Sequence, residues 1–199
     1  HAEIAIANDP DADRIAAAIP QSDGSWRRLG GDEIGWLLAD HVLRHTVGDD
    51  RLVVTTLVSS SLLGRMAAAH GVHYAETYTG FKWIGKIATE RPDLRLVLGY
   101  EQALGYLVAQ RPLDKDGITA ALLAGEITAR TGEDPGVRYH ALTRALGEPV
   151  SSRVDAPATA EQKKRLGRLS PQQLASTHLA GERIEQVLDR APGNNAAIG

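Results

Sequence analysis

"RLVVTTLVSSSLLGRMAAAHGVHYAET" occupies residues 51–77 and changes its rhythm twice. Residues 51–58 form a β-branched run, which favours a strand. The serines at 59–61 offer oxygens to open a helix, and Gly71 is suited to close it. "VHYAET" (72–77) then reads as a strand again. The same alternation continues outward. "TGFKWIGKIATER" (79–91) is a loop entering a helix, "LRLVLGYE" (94–101) a buried strand and "LGYLVA" (104–109) a further short strand. "DKDGITAALLAGEITART" (114–131) enters a helix of small and aliphatic residues. Upstream, Asp32 caps a helix that runs to about His45, with Ile34, Leu37, Leu38 and Val42 on its apolar stripe. Strands alternating with helices imply an α/β fold: a layered α/β/α domain with a mixed, largely parallel sheet, plus a partly helical C-terminal extension.

The flanks read differently. "EIAIA" (3–7) fits a short buried strand, and "RIAAAIP" (14–20) and "WRRLG" (26–30) flank Asp23-Gly24, a hairpin signal. After Gly132, "DPGVRYHALTRALG" is a helix closed by Gly147, and "PVSSRVDAP" is extended. "TAEQ" (159–162) and "SPQQ" (170–173) fit capping boxes, with Pro171 at a first helical position. The chain opens at His1 inside a strand-like stretch and closes on "APGNNAAIG", so a fragment of a longer protein is expected.

The 199 residues are 43% hydrophobic and 24% charged, ordinary for a folded protein. A net charge of −3 argues against non-specific attraction to nucleic acid or an anionic membrane surface. The absence of cysteine excludes disulfides and thiolate metal sites. No apolar run approaches the ~20 residues of a membrane span, and no signal peptide is visible, so a cytoplasmic protein is the expectation.

Chemistry concentrates in "NDPDADR" (8–14), where Asp9, Asp11 and Asp13 alternate just after the first strand. Carboxylates this close repel unless a cation or a dense set of hydrogen bonds holds them. Hard cations such as Mg2+ prefer oxygen ligands, and alternate side chains at a strand exit can turn toward one point. Arg14 is then placed to contact a phosphate. A solvated acidic turn, helped by Asn8 and Pro10, is the alternative. An EF-hand loop counted from Asp9 fails, because Arg14 and Pro20 stand where glycine and glutamate are required. A strand followed by Asp-x-Asp also suggests a haloacid-dehalogenase-type phosphatase with Asp9 as nucleophile, though Asp13 and Arg14 fit that pattern poorly.

"ANDPDADR" resembles the metal-binding loop of the α-D-phosphohexomutase superfamily, the phosphoglucomutases and phosphomannomutases. Three further stretches follow in the family's order. "TYTGFKWIG" (77–85) resembles the third-domain loop that meets the sugar through Thr79 and Gly80, with Lys82 a phosphate or sugar contact. "GYEQALGY" (99–106) resembles the sugar-binding loop, whose glutamate is here Glu101. "DKDGI" (114–118) resembles the segment whose lysine, here Lys115, meets the substrate phosphate. The tail from "ITARTGEDP" onward resembles the lead-in to the fourth domain in bacterial glucose-specific enzymes. The resemblance implies residues 1–25 as the end of mutase domain 2 with the metal loop, 26–132 as domain 3, and 133–199 as a connector toward domain 4.

It also implies Mg2+ as cofactor on Asp9, Asp11 and Asp13, with Arg14 and Lys115 offsetting phosphate charge. Thr79, Gly80, Lys82, Glu101 and Ala103 would bind the sugar. The expected partners are glucose 1-phosphate, glucose 6-phosphate, glucose 1,6-bisphosphate and the remaining domains of the parent chain. Many relatives carry serine where Ala103 stands; alanine there resembles the phosphopentomutase-like and actinobacterial phosphomannomutase-like branch. Phe81 and Gly105 stand where the dual-specificity branch has histidines, so no general base is assigned from them. The family's nucleophilic serine loop and fourth-domain phosphate clamp have no counterpart in these residues, so the chain alone should not turn over. Two readings of other classes stay open: the aspartyl phosphatase, and a non-catalytic sugar-phosphate-binding module. Bland roles remain for single residues: packing for Phe81 and Trp83, a local ion pair for Lys115, and capping for the serines at 59–61.

Overall fold

The computed structural model describes residues 2–109, 112–147, 149, 156–168, 170–173 and 176–187. Most of the stretch expected to be extended (150–155) and the tail 188–199 lie outside them. The chain divides into two compact units, 1–151 and 152–199.

Among the described residues, the first unit holds two sheets. β1 (Ala5–Asn8), β2 (Ile15–Pro20) and β3 (Trp26–Arg28) form an antiparallel meander, with Ala5 facing Ala18 and Ala18 facing Arg28. The Asp23-Gly24 hairpin forms as expected. Gly24 takes φ +84°, which its missing Cβ permits, and Asp23 fixes the turn by accepting from the Ser25 amide and hydroxyl. β1, expected to be buried, is mostly exposed: it is an edge strand, and Ile4 and Ile6 pack only partly against the core.

The second sheet has the order β5 (His73–Thr77), β4 (Arg51–Thr56), β6 (Arg95–Glu101), β7 (Gly105–Leu107). β5, β4 and β6 run parallel, and β7 returns antiparallel to β6. α1 (Gly31–His45) precedes β4, while α2 (Leu62–Ala69) and α3 (Phe81–Glu90) are the crossovers. α4 (Gly117–Thr131) and α5 (Pro135–Leu146) follow. Alternation along β4 sorts two cores: Val53 faces a large cluster with Leu38, Leu63, Leu98 and Tyr100, while Leu52 and Val54 face Phe81 and Ile84 of α3. Phe81 is thus a packing residue. Gly99 lets α3 sit close, since a Cβ there would come within 2.6 Å of Ile84 Cγ2. Helices on both faces of a mixed, largely parallel sheet make the α/β/α layering.

The stripe of α1 is buried as its spacing requires, but its cap is not Asp32. Gly30 is the N-cap, its amide donating to Glu33 at 2.6 Å, and Asp32 lies inside the first turn pointing elsewhere. Ser60, rather than Ser61, serves the start of α2, with its Oγ accepting from the Leu62 amide at 3.2 Å. α5, which the sequence assigned to the connector, packs on α1 and α2 instead. Arg138 of α5 pairs with the buried Asp40 of α1, as does Arg44 at 2.7 Å.

The second unit is small. α6 (Ala160–Leu166) opens on the expected capping box between Thr159 and Gln162. At 170–173 only half of such a box forms: the Ser170 amide donates to Gln173 over a single 3-10 turn. A two-residue hairpin, β8 (His178–Leu179) with β9 (Glu182–Arg183), was not foreseen. No helix among the described residues is long and apolar enough to cross a membrane.

Candidate functional site

The aspartate loop leaves β1 and returns as β2, tied down at three points. Asn8 Nδ2 donates to the Arg14 carbonyl at 3.1 Å, and the Ala12 amide to the Asp9 carbonyl at 3.0 Å. Ala12 adopts φ +57°, the left-handed conformation that turns the loop over. The third tie comes from α4, whose Gly117 amide donates to the Ala12 carbonyl at 3.0 Å. A Cβ on Gly117 would lie within 2.7 Å of Asn8 Nδ2 and of the Arg14 and Ala12 carbonyls. Glycine at this position is what allows the helix to abut the loop.

So held, Asp9, Asp11 and Asp13 each present a carboxylate oxygen, and the three lie within 4.8 Å of one another. Arg14 occupies both oxygens of Asp9, its Nε at 2.7 Å from Oδ2 and its amide at 3.1 Å from Oδ1. Lys115 Nζ lies 2.7 Å from Asp13 Oδ2. Asp13 Oδ1 is buried and accepts no hydrogen bond, with Arg14 Nε at 3.5 Å. Partial burial alone would raise the Asp9 pKa, but the hydrogen bonds and charge of Arg14 prevail and hold it below 3.8. The hydrogen bond to Asp13 in turn holds the Lys115 ammonium above its ordinary value. Three hard oxygen donors, one from each carboxylate and all within 4.8 Å of one another, suit a small divalent cation of the Mg2+ type.

Glu101 closes the neighbouring corner. It ends β6, is 8% exposed, and accepts from the Gly80 amide at 2.5 Å. Gly80, at φ +119°, opens α3 in a backbone conformation that favours glycine. Glu101 also acts electrostatically on Lys115. Behind it, the β6–β7 turn is pinned from several sides: the Ile15 amide donates to the Leu104 carbonyl at 3.2 Å, and Arg14 bridges Gly105. The Gln102 amide donates to Ser59 Oγ at 3.2 Å. The fold therefore brings Asp9, Asp11, Asp13, Arg14 and Lys115 into one cluster and links it to Glu101 and Gly80. Thr79, Lys82 and Ala103 are exposed, with Lys82 Nζ over the Trp83 ring, 5.2 Å from its centroid.

Sequence reasoning takes Asn8 only as a turn residue and Asp32 as a helix cap, and gives Gly105 and Gly117 no part in building the site. Asp32 accepts from the Ser60 amide at 2.8 Å and the Tyr100 hydroxyl at 2.9 Å, tying α1 to the strand that ends in Glu101. Burial raises its pKa above 3.8 despite those two donors. A glycine directly after a helix-capping aspartate, as in "KDG", was the available signal for Gly117.

Residues 30–146 match the family described as phosphoglucomutase/phosphomannomutase, alpha/beta/alpha domain III, and the chain belongs to that family. A Komagataeibacter xylinus phosphoglucomutase is 39% identical over 99% of this chain and 36% of its own length. The human phosphopentomutase is 37% identical over 64% of this chain and 22% of its own. The chain thus spans well under half the length of these curated relatives. Among solved structures, a Thermus thermophilus protein described as a phosphomannomutase superposes with TM-score 0.63 at 26% identity, covering 72% of this chain and 31% of that one. An Aspergillus fumigatus N-acetylphosphoglucosamine mutase, solved in complex with GlcNAc-6P and magnesium, gives 0.53 at 20% identity over 69% and 34%.

Proposed function

We propose that this chain supplies the metal loop and the sugar-recognition domain of a phosphohexomutase that interconverts hexose 1- and 6-phosphates. The convergence of the three carboxylates within 4.8 Å, flanked by Arg14 and Lys115, carries the reading. Residues 1–25 would close the preceding domain, and residues 26–132 form the sugar domain with α5 packed on it. The stretch after α5 would lead toward a further domain. The nucleophilic serine and the phosphate clamp would come from other parts of the parent chain, at work in the cytoplasm.

Asp9, Asp11 and Asp13 would hold Mg2+, which when bound offsets negative charge on the transferring phosphoryl group. Arg14 presents a charged fork beside Asp9, and Lys115 has three N–H donors of which Asp13 takes one, so both can face a phosphate. Glu101, its Oε1 fixed by the Gly80 amide, is set to accept from sugar hydroxyls and so orient the ring between its two half-reactions. Thr79, Lys82 and Ala103 would line the outer side of that sugar site. A glucose phosphate is the favoured substrate because the phosphoglucomutase relative aligns over 99% of the chain. Pentose phosphate is the second reading, favoured by the phosphopentomutase likeness and by Ala103.

The test is a comparison of the full-length protein and its Asp11→Asn variant on glucose, mannose and ribose 1-phosphates. Mg2+-dependent mutase activity highest on glucose 1-phosphate, and reduced on the order of a hundredfold or more by the substitution, is expected. Unchanged Mg2+-dependent turnover in the variant would refute the metal assignment. A covalent phosphate trapped on Asp9 would favour the phosphatase class instead.

A further inference from the structure

We infer that Lys115 is a positioning residue for the carboxylate of Asp13, holding Oδ2 so that the buried Oδ1 faces the cation site. This rests on the metal reading above. Two independent features carry it. The first is the division of labour on Asp13: Oδ2 lies 2.7 Å from Lys115 Nζ, while Oδ1 is buried without a hydrogen-bond partner. Arg14 Nε lies 3.5 Å from Oδ1 but makes no hydrogen bond to it, and a buried carboxylate oxygen without a hydrogen bond costs free energy that a ligand can offset. The second is that the lysine is built in rather than free to swing. Its stem lies against Gly105, where a Cβ would come within 3.0 Å of Lys115 Cδ and 2.9 Å of Phe81 Cε2. Phe81 is buried in the core and its ring sits 5.7 Å from Nζ. The backbone on either side is fixed, with the Asp116 amide donating to the Tyr106 carbonyl at 2.9 Å and the Lys115 amide to Asp114 at 2.8 Å. Gly105 and Phe81 thus aim the ammonium, the ammonium aims Asp13, and Asp13 aims Oδ1.

Ligating carboxylates are commonly oriented by such an outer partner, and losing it weakens metal affinity about 10- to 100-fold. That sign separates positioning from simple electrostatics. Deleting a positive charge beside a cation site should tighten cation binding; deleting a residue that orients a ligand should weaken it. The experiment is calorimetric titration of Mg2+ into the full-length protein and its Lys115→Met and Lys115→Arg variants, with no sugar phosphate present. Weakening of about tenfold or more in Lys115→Met, with most of the affinity regained in Lys115→Arg, is the expected result. Equal or tighter binding by Lys115→Met overturns the inference while leaving the metal site standing. Absence of Mg2+ uptake by the unsubstituted protein overturns both. Should Lys115→Met fail to fold, Gly105→Ala displaces the stem while keeping the charge, and the same weakening is required of it.

Discussion

The aspartate loop and Asp32 place the same chemical group under opposite rules. On the loop the charge of Asp9 is balanced by a cation: Arg14 donates to both of its oxygens, overcomes the effect of partial burial and keeps the group ionised. Asp32 is held by neutral donors, the Ser60 amide and the Tyr100 hydroxyl, and burial there outweighs both, so its pKa rises. Here neutral donors make Asp32 a tie between elements, while Arg14 leaves Asp9 charged, with lone pairs to spare for a ligand. The first arrangement belongs to stability and the second to binding, and the contrast can be broken by experiment.

Asp32→Ala gives the largest expected loss of stability. It strips the acceptor from the wholly buried Tyr100 hydroxyl and from the Ser60 amide, a cost of about 2–4 kcal/mol. The urea midpoint should fall accordingly while Mg2+ affinity stays within about twofold, since additivity holds for sites without shared partners. A collapse of Mg2+ affinity in this variant would show the two regions to be one. Gly117→Ala should give the reverse division. Its new Cβ meets two backbone carbonyls of the loop and Asn8 within 2.7 Å, so the loop must shift. Overpacking costs about 1–3 kcal/mol, smaller than the Asp32 loss, but Mg2+ affinity measured by calorimetry should drop by about tenfold or more as the carboxylates part.

What the sequence made legible follows from the range of the forces involved. β-branched runs, helix stripes and the Asp23-Gly24 turn are local signals, and the layered sheet was readable from their alternation. The exposure of β1 was not: whether an apolar strand is central or at an edge depends on which strands pair with it, and among the described residues Ala5–Asn8 pairs only with β2. The role of Asp32 was misread for a related reason. An aspartate near a helix start is a good cap by local chemistry, but Tyr100 and Ser60, 68 and 28 residues away, captured it. At the site, the three aspartates were readable because they are spaced on one loop. The pairing of Asp13 with Lys115 joins segments far apart in the chain and became visible only in three dimensions. Gly117 lies between these cases: "KDG" is local, but the loop that requires its bareness is not.

The smallest expected effect is on the pH dependence of stability, and it sharpens the contrast because the two signs oppose. Asp32 has a folded pKa above 3.8, so its contribution is fully present below that value and is lost as pH rises through the folded pKa. Asp9 has a folded pKa below 3.8; its contribution is present above 3.8 and is lost as pH falls through the folded value. Replacing each by asparagine removes the titration while keeping the side-chain shape. Relative to the unsubstituted protein, Asp32→Asn should therefore gain stability as pH rises through and above 3.8, and Asp9→Asn should lose it as pH rises from below 3.8. Urea midpoints across that rise read both. Salt separates them further: Arg14 of the Asp9–Arg14 pair is half exposed to solvent, and ~1 M salt, with a Debye length near ~3 Å, should flatten the slope of the pair. The slope of Asp32 should persist, because burial and not a mobile counter-charge sets it. Two slopes of the same sign, or an Asp32 slope that salt abolishes, would mean that both carboxylates are governed by the surface field and that the distinction between tie and ligand does not hold.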